Sequence, residues 1–377
     1  MKIPLFRIYW DEEDIRAVDE VIRSGMYWTT GPKSKEFERM IAEYLGRKYA
    51  LVFNSGTSAL HAAVLAHRIK AGEVVVPSFT FIATSNALLM AGLKPIFADI
   101  EEKTFGLDPE SVEAIITKRT KAIIPVHYGG SPCMIRELRE IAEDHKVLLI
   151  EDAAESFGAR IGKEKVGSFG DSAMISFCQN KVITTGEGGA VATDSQDVYE
   201  RLKLVRSHGR LENMDYFSTW KAMDYVILGY NYRMSDITAA LGISQLKKIG
   251  KLVQMRRREA ARLTAALGRV KSITPPRPPE GYYHIYQMYT LRMKGGREVR
   301  NKLANHLAEK GISAKVYFYP VHSTHFYKNV LKYHCRLPVT DKVSQQVLSL
   351  PIYPSMTNKE IDHIIDEIKS FEKVGRK

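Results

Sequence analysis

A lysine and an aspartate form the pair most able to do chemistry. Lys181 follows a short apolar run, residues 173–177, and precedes the glycine-rich stretch Thr184-Thr-Gly-Glu-Gly-Gly189. The run is too short for a helix and is bounded by Gly170-Asp171, so it reads as a buried strand. A lysine just past such a strand can lose water and lower its pKa, which is what a Schiff-base amine needs. Taken alone, Lys181 reads as a solvated lysine at a strand end, since lysines are mostly exposed. Asp152 changes that reading. It lies 29 residues earlier, in Glu151-Asp152-Ala-Ala-Glu155, and this stretch closes the apolar run 147–150. Two strand ends would set the amine and the carboxylate at one edge of one sheet. That arrangement suits a pyridine aldehyde, with the amine on the aldehyde carbon and the carboxylate on the ring nitrogen.

The elements that must position this pair alternate along the chain. Strands are expected at 49–53, 73–76, 95–99, 122–126, 147–150, 173–177 and 190–193. Helical segments lie between them, and amphipathic helices are expected at 11–24 and 33–45. Such alternation predicts an α/β fold: a mostly parallel central sheet, helices on both faces, and a site at the carboxyl ends of the strands. Asn54-Ser55-Gly56-Thr57-Ser58 opens a helix running to about residue 66. Small hydroxyl residues there present N–H and O–H donors to an anion, or simply cap the helix through Ser55 or Thr57. Phe81, in Pro77-Ser-Phe-Thr-Phe81, packs in the core or lies on a bound ring. Residues 25–32 form an aromatic loop ending in Thr30-Gly31-Pro32, and 209–228 a second irregular, aromatic one. Helices at 197–207, 235–246 and 248–267 lead to the linker Pro275-Pro-Arg-Pro-Pro279. A smaller α+β unit follows, with strands at 283–293 and 314–319 and helices at 297–310 and 358–370. The expected domains are residues 1–247 and 248–377.

Composition bounds the partners. The 377 residues are 45% hydrophobic and 26% charged, an ordinary globular balance. The 55 Lys and Arg against 43 Asp and Glu leave a net charge of +12. No nucleic-acid recognition motif accompanies that charge, and a field attracting phosphorylated small molecules explains it. The three cysteines lack metal spacing, which points to a reducing compartment. With no signal-peptide pattern and no long apolar run, the expectation is a cytoplasmic protein without membrane or nucleic-acid partners.

With these pieces in order, the chain resembles the DegT/StrS family of sugar aminotransferases, fold-type-I pyridoxal-phosphate enzymes. The matching motifs are Thr30-Gly31-Pro32, Asn54-Ser-Gly-Thr-Ser-Ala-Leu60, Val76-Pro-Ser-Phe-Thr-Phe81, Glu151-Asp-Ala-Ala-Glu-Ser-Phe-Gly158, Gly167-Ser-Phe-Gly-Asp171, Ser176 to Gly189, and Gly229-Tyr-Asn-Tyr-Arg-Met234. They span nearly the whole chain. The resemblance implies that Lys181 carries the Schiff base and shuttles protons, and that Asp152 keeps the pyridine nitrogen protonated. Phe81 would stack on the ring, Glu155 would lie near the ring and its hydroxyl, and Gly56, Thr57, Ser58 and Ser176 would hold the phosphate. Asn231 would reach the phosphate of a neighbouring subunit, which implies a homodimer with shared sites. Thr30, His208, Arg233 and His322 would lie near the substrate. For His208 and Arg233 a packed or solvent-facing role stands equally open.

Within the family, the Glu155-Ser-Phe-Gly158 ending, Asn180-Lys181 with the turn after it, and Val316-Tyr-Phe-Tyr-Pro-Val-His322 most resemble the perosamine-synthase branch. That branch moves the amino group of L-glutamate to carbon 4 of GDP-4-keto-6-deoxymannose. Val182 and Cys178-Gln179 depart from the commoner pattern, which leaves UDP- and dTDP-linked keto sugars as alternatives. A dehydratase on the same fold is disfavoured because its relatives replace the lysine with histidine. A non-catalytic regulator is disfavoured by the lysine and by the lack of a DNA-binding module. No metal site is expected: His322 and His325 lack a carboxylate or cysteine partner nearby. No Gly-x-Ser-x-Gly elbow points to a serine hydrolase.

Overall fold

The computed structural model describes residues 1–211 and 220–374. Part of the expected 209–228 loop therefore lies outside the described residues. Seven strands build the central sheet: β1 (Tyr49–Phe53), β2 (Glu73–Pro77), β3 (Lys94–Ala98), β4 (Thr120–Ile123), β5 (Leu148–Asp152), β6 (Ser172–Ser176) and β7 (Gly189–Thr193). Their order is β1-β7-β6-β5-β4-β2-β3, and only β7 runs against the rest. The carboxyl ends of β1, β2, β5 and β6 therefore meet at one edge.

Alternate residues of each strand enter opposite cores. Leu51, Phe53, Val74, Val76, Ile150, Met174 and Val191 face one layer, while Ala50, Val52, Val75, Leu149, Ile175 and Ala192 face the other. With both faces covered, the strands read as unbroken apolar runs. On one face pack α3 (Gly56–Ala66), α4 (Ala83–Met90) and α7 (Gln196–Arg206); on the other lie α2 (Pro32–Leu45), α5 (Pro109–Ile115), α6 (Ile135–His145), α8 (Asp236–Lys247) and the start of α9 (Ile249–Leu267). The helix α1 (Glu12–Ser24) packs on α8. The exposed edge of β1 is closed by side chains. Glu38 accepts from Val52 N–H (3.1 Å), and Arg206 donates to Val52 O (3.0 Å) while pairing with Glu38 (2.6 Å). An edge covered this way does not template another strand.

A second sheet, β8 (Ile273–Thr274), β9 (Tyr289–Met293) and β10 (Val347–Leu350), is antiparallel and packs on α9, α10 (Gly296–Glu309) and α12 (Asn358–Val374). The helix α11 (Pro338–Gln346) precedes β10.

Four elements differ from expectation. The strand expected at 283–293 forms only over Tyr289–Met293, because Tyr282–Tyr283 pairs with Arg160–Ile161 instead and the backbone N–H groups of Ile285 and Met288 go to Gly130 and Gly129. The segment 314–319 makes only one ladder bridge, Lys315 to Ser349, because the Tyr317 carbonyl takes the Tyr128 hydroxyl instead of a strand partner. The pair α11 and β10 was not foreseen. Its start is defined by Asp99, which accepts from the N–H groups of Val339 (2.9 Å) and Thr340 (2.8 Å) across the chain. The fourth strand ends at Ile123 rather than 126, since Pro125 has no N–H to give a ladder.

Candidate active site

Asp152 is the last residue of β5, paired in register with Met174 on β6. It is buried. Thr84, in the first turn of α4, donates its hydroxyl to Asp152 Oδ2 at 2.8 Å, and Ala154 N–H donates to Oδ1 at 3.2 Å. Since Thr84 gives its proton to the carboxylate, Thr80 must donate to Thr84 across their 2.9 Å contact. Burial pushes the Asp152 carboxyl up, against the pull of Thr84, Ala154 and the Lys181 ammonium. A carboxylate held so is costly alone and is relieved when a cation arrives beside it.

Lys181 lies in the turn beyond β6, its N–H bonded to Cys178 O at 2.9 Å. Its Nζ stands 3.9 Å from Glu155 Oε1, with the two side chains 14% and 10% exposed. Gly129 N–H donates to the other oxygen, Oε2, at 2.9 Å. Burial raises the Glu155 carboxyl, opposed by Lys181 and Gly129 and helped by Asp152. Lys181 thus senses both carboxyl groups. Directly behind them, the buried Glu151 accepts from the N–H groups of Gly167 (2.7 Å), Phe169 (2.7 Å) and Gly170 (2.8 Å), and from His127 Nε2 at 3.1 Å. Cys133 N–H donates to His127 Nδ1 at 3.1 Å, so the proton sits on Nε2. This network anchors β5 and leaves Asp152 as the outward-facing member of the pair.

The N-terminus of α3 faces β6. Ser55 caps the helix, accepting from Ser58 N–H at 3.1 Å. Among the described residues nothing takes the N–H groups of Gly56 and Thr57. A Cβ on Gly56 would stand 2.9 Å from Ser176 Cβ, so only glycine lets the helix start this close to the β6 end. Gly56, Thr57, Ser58 and Ser176 therefore make one cradle of donors at a positive helix end. Phe81, beyond β2, is 61% exposed and tilts against Phe318 with centroids 6.3 Å apart.

The remaining sites are spread more widely. Asn231 is exposed beside the end of β1, its carbonyl taking Asn54 Nδ2 at 3.3 Å. Arg233 bridges to Phe53, and His208 is exposed at a positive φ of 63°. Thr30 sits half-buried before α2. His322 is buried. Its Nδ1 is 2.7 Å from Ser78 Oγ, its N–H donates to that same oxygen at 3.0 Å, and Nε2 faces Asp341 at 3.5 Å. The ring thereby ties 321–323 to the end of β2. His325 is exposed and bonds Asn329 at 3.0 Å. Among the described residues no cluster of three His, Cys, Asp or Glu side chains could hold a metal ion, and no helix is long and apolar enough to cross a membrane.

The model of the DegT/DnrJ/EryC1/StrS aminotransferase family matches residues 9–369. The chain belongs to that family. GDP-perosamine synthase of Caulobacter vibrioides is 37% identical over 88% of this chain and 87% of its own. The enzyme of the same name from Escherichia coli O157:H7 is 33% identical over 98% of both chains. Among solved structures, PseC of Helicobacter pylori, an aminotransferase of pseudoaminic acid biosynthesis, is 30% identical with a TM-score of 0.93 over 99% of this chain and 100% of its own. NtdA of Bacillus subtilis, solved with pyridoxamine phosphate (PMP) bound, is 29% identical with a TM-score of 0.89, over 99% of this chain and 85% of its own.

As an aminotransferase of this family, the chain is built to take a phosphorylated pyridine aldehyde, and its residues fit one. The cradle offers donors to a phosphate, the buried Asp152 offers a carboxyl to a ring nitrogen, and Lys181 offers an amine beside Glu155. Sequence reasoning missed Thr84 and Gly129. Both act on carboxylates far along the chain, Thr84 at a separation of 68 residues, and no local pattern marks them. It also missed the reach of Asp236, seen only as an acidic residue at the start of α8. Its carboxylate accepts from Gly31, Lys33 and Ser34 N–H groups at 2.8–2.9 Å, and so fixes the entry to α2.

Proposed function

We propose that the protein moves the amino group of L-glutamate to carbon 4 of GDP-4-keto-6-deoxymannose, with pyridoxal phosphate as cofactor. The observation that carries the chemistry is the buried Asp152 at the end of β5, feeling the charge of Lys181 in the turn beyond the neighbouring parallel strand β6. The similarity to two GDP-perosamine synthases supports the sugar.

Bound pyridoxal phosphate supplies an electron sink for the charge that develops when an amino acid loses its Cα proton. The chain's residues do the rest. Gly56, Thr57, Ser58 and Ser176 grip the phosphate. Asp152, backed by Thr84, keeps the ring nitrogen protonated. Phe81 packs on the ring. Lys181 would hold the aldehyde carbon, and its amine would move the proton to and from Cα of the amino acid. Glu155, tied to Gly129, lies within reach of that amine and holds it oriented. Thr30, His208 and Arg233 line the approach of the sugar nucleotide, and His322 shapes it from behind Ser78. Two subunits complete each site, with Asn231 of one reaching the phosphate of the other. Residues 1–247 hold the cofactor and 248–377 close over it, in the cytoplasm.

A panel of GDP-, UDP- and dTDP-linked keto sugars with L-glutamate, products read by mass, tests the sugar. Amination of the GDP sugar at carbon 4 is expected. Turnover confined to a UDP or dTDP sugar removes the perosamine-type reading and leaves the aminotransferase in place.

A further inference from the structure

One short segment of the C-terminal half, residues 284–288, lies across both members of the Lys181–Glu155 pair. On one side it rests on the turn that holds Glu155. Ile285 N–H donates to Gly130 O at 2.9 Å and Met288 N–H to Gly129 O at 3.0 Å, while Gly129 N–H itself donates to Glu155. The approach is close: a Cβ on Gly130 would stand 2.6 Å from Gln287 N. On the other side, Gln287 Nε2 donates to Asn180 O at 2.6 Å, the carbonyl joined directly to Lys181. Gln287 is buried. Behind the segment, the buried Arg256 spends its guanidinium on the carbonyls of Tyr286 (3.2 Å), Gln287 (3.4 Å) and Ile352 (3.1 Å).

We propose that Gln287 is a positioning residue: through Asn180 it holds the Lys181 turn, while its own backbone neighbours hold Glu155, so one segment sets the spacing of the pair. The segment belongs to the part of the chain that carries β9, so any shift of that part moves the amine and its carboxylate together rather than apart. The inference rests on Lys181 carrying the reaction.

The test uses Gln287→Met, which keeps length and volume but removes the donor. Amide hydrogen exchange is followed across 178–182 in the cofactor-free protein, and the glutamate half-reaction in the loaded one. Loss of one buried hydrogen bond to the backbone is expected to speed local exchange roughly tenfold. The unfolding midpoint should stay nearly constant. In the loaded enzyme kcat should fall about tenfold, with KM for L-glutamate moving less than about twofold. The pH titration of the bound cofactor's visible absorbance should shift as well, since the amine's surroundings change. Should Gln287→Met fail to fold, Gln287→Asn takes its place. It keeps the amide but is one methylene short of Asn180, and the same changes are expected. Unchanged exchange at 178–182 overturns the inference, as does faster exchange with an unaltered kcat. The effect of Lys181→Ala judges the role of the lysine separately.

Discussion

Lys181 Nζ lies 3.9 Å from Glu155 Oε1, and Glu155 is itself tethered through Oε2 to Gly129 N–H at 2.9 Å. The carboxylate facing the amine is thus itself tethered to the backbone. If Lys181 is both the anchor and the proton carrier, Lys181→Ala loses both roles at once. Turnover should fall by roughly 10²–10⁴-fold or more, the range for a positioned general base. The check is single-turnover kinetics with L-glutamate, with folding followed by denaturation. A variant within about tenfold of the native rate would remove the lysine from the reaction.

Glu155 and Asp152 also make the cofactor-free protein pH-sensitive. Burial raises both carboxyl groups in the folded chain above their ordinary range. The folded state then binds protons more readily than the unfolded one, so their contribution is full below the ordinary carboxylate range and is lost as pH rises through the raised folded values. Glu155→Gln removes one such group. As pH rises above the ordinary carboxylate range, its denaturation midpoint should gain on the native chain. A gap that is constant, or that narrows with pH, contradicts the burial argument.

Thr84 tests the other end of the proposed ring. Its hydroxyl is one of two donors to the Asp152 carboxylate. Thr84→Val keeps the shape and removes the proton. A hydrogen bond to a charged group contributes about 1.5–3 kcal/mol, so cofactor affinity should drop about tenfold to a hundredfold. An absorbance titration of the cofactor-free protein measures it. Affinity within about twofold of native would mean that Asp152 does not depend on Thr84.

These residues mark where the sequence could be read and where it could not. The central strands were legible because both faces of the sheet are buried, which writes each strand as a short apolar run. Asp152 stood out because it ends such a run, whereas Lys181 lies beyond one, in the turn after β6. Ser176 and Gly56 were legible only as motif positions; that they touch follows from β6 lying two strands from β1, which no local pattern encodes. Thr84, Gly129 and Gln287 act over separations of 68, 26 and 107 residues. Their partners are chosen by the fold, and their own neighbours in sequence carry no trace of it. The segment 314–319 failed for the opposite reason: its β-branched and aromatic content suits a strand, but tertiary contacts with Tyr128 outweigh that preference.

Asp236 should matter for stability more than for chemistry. Its carboxylate satisfies three N–H groups at the start of α2 and the Ser34 hydroxyl at 2.5 Å. Asp236→Ala strands these donors in a site that is itself buried. The expected cost is about 3 kcal/mol, seen as a lower denaturation midpoint, with proteolysis focused on residues 25–31. A midpoint unchanged to within about 0.5 kcal/mol would show that water or the Thr30 hydroxyl takes over.

Gly56 tests how closely the start of α3 and the end of β6 must approach. It sits at the first position of α3, where alanine is by itself a better helix former by up to about 1 kcal/mol. Yet the added Cβ would meet Ser176 Cβ at 2.9 Å and Oγ at 3.0 Å, inside the cradle assigned to the phosphate. Ser176 has to move, and it is one of the donors there. Gly56→Ala should therefore cost the cofactor-free fold about 1–3 kcal/mol and lower cofactor affinity about tenfold. Adding Ser176→Gly opens the space again, so the two changes should not add: the double variant should bind no more weakly than Ser176→Gly alone. If the two losses were additive, the methyl group would be acting elsewhere than on Ser176, and the cradle would not be the unit described.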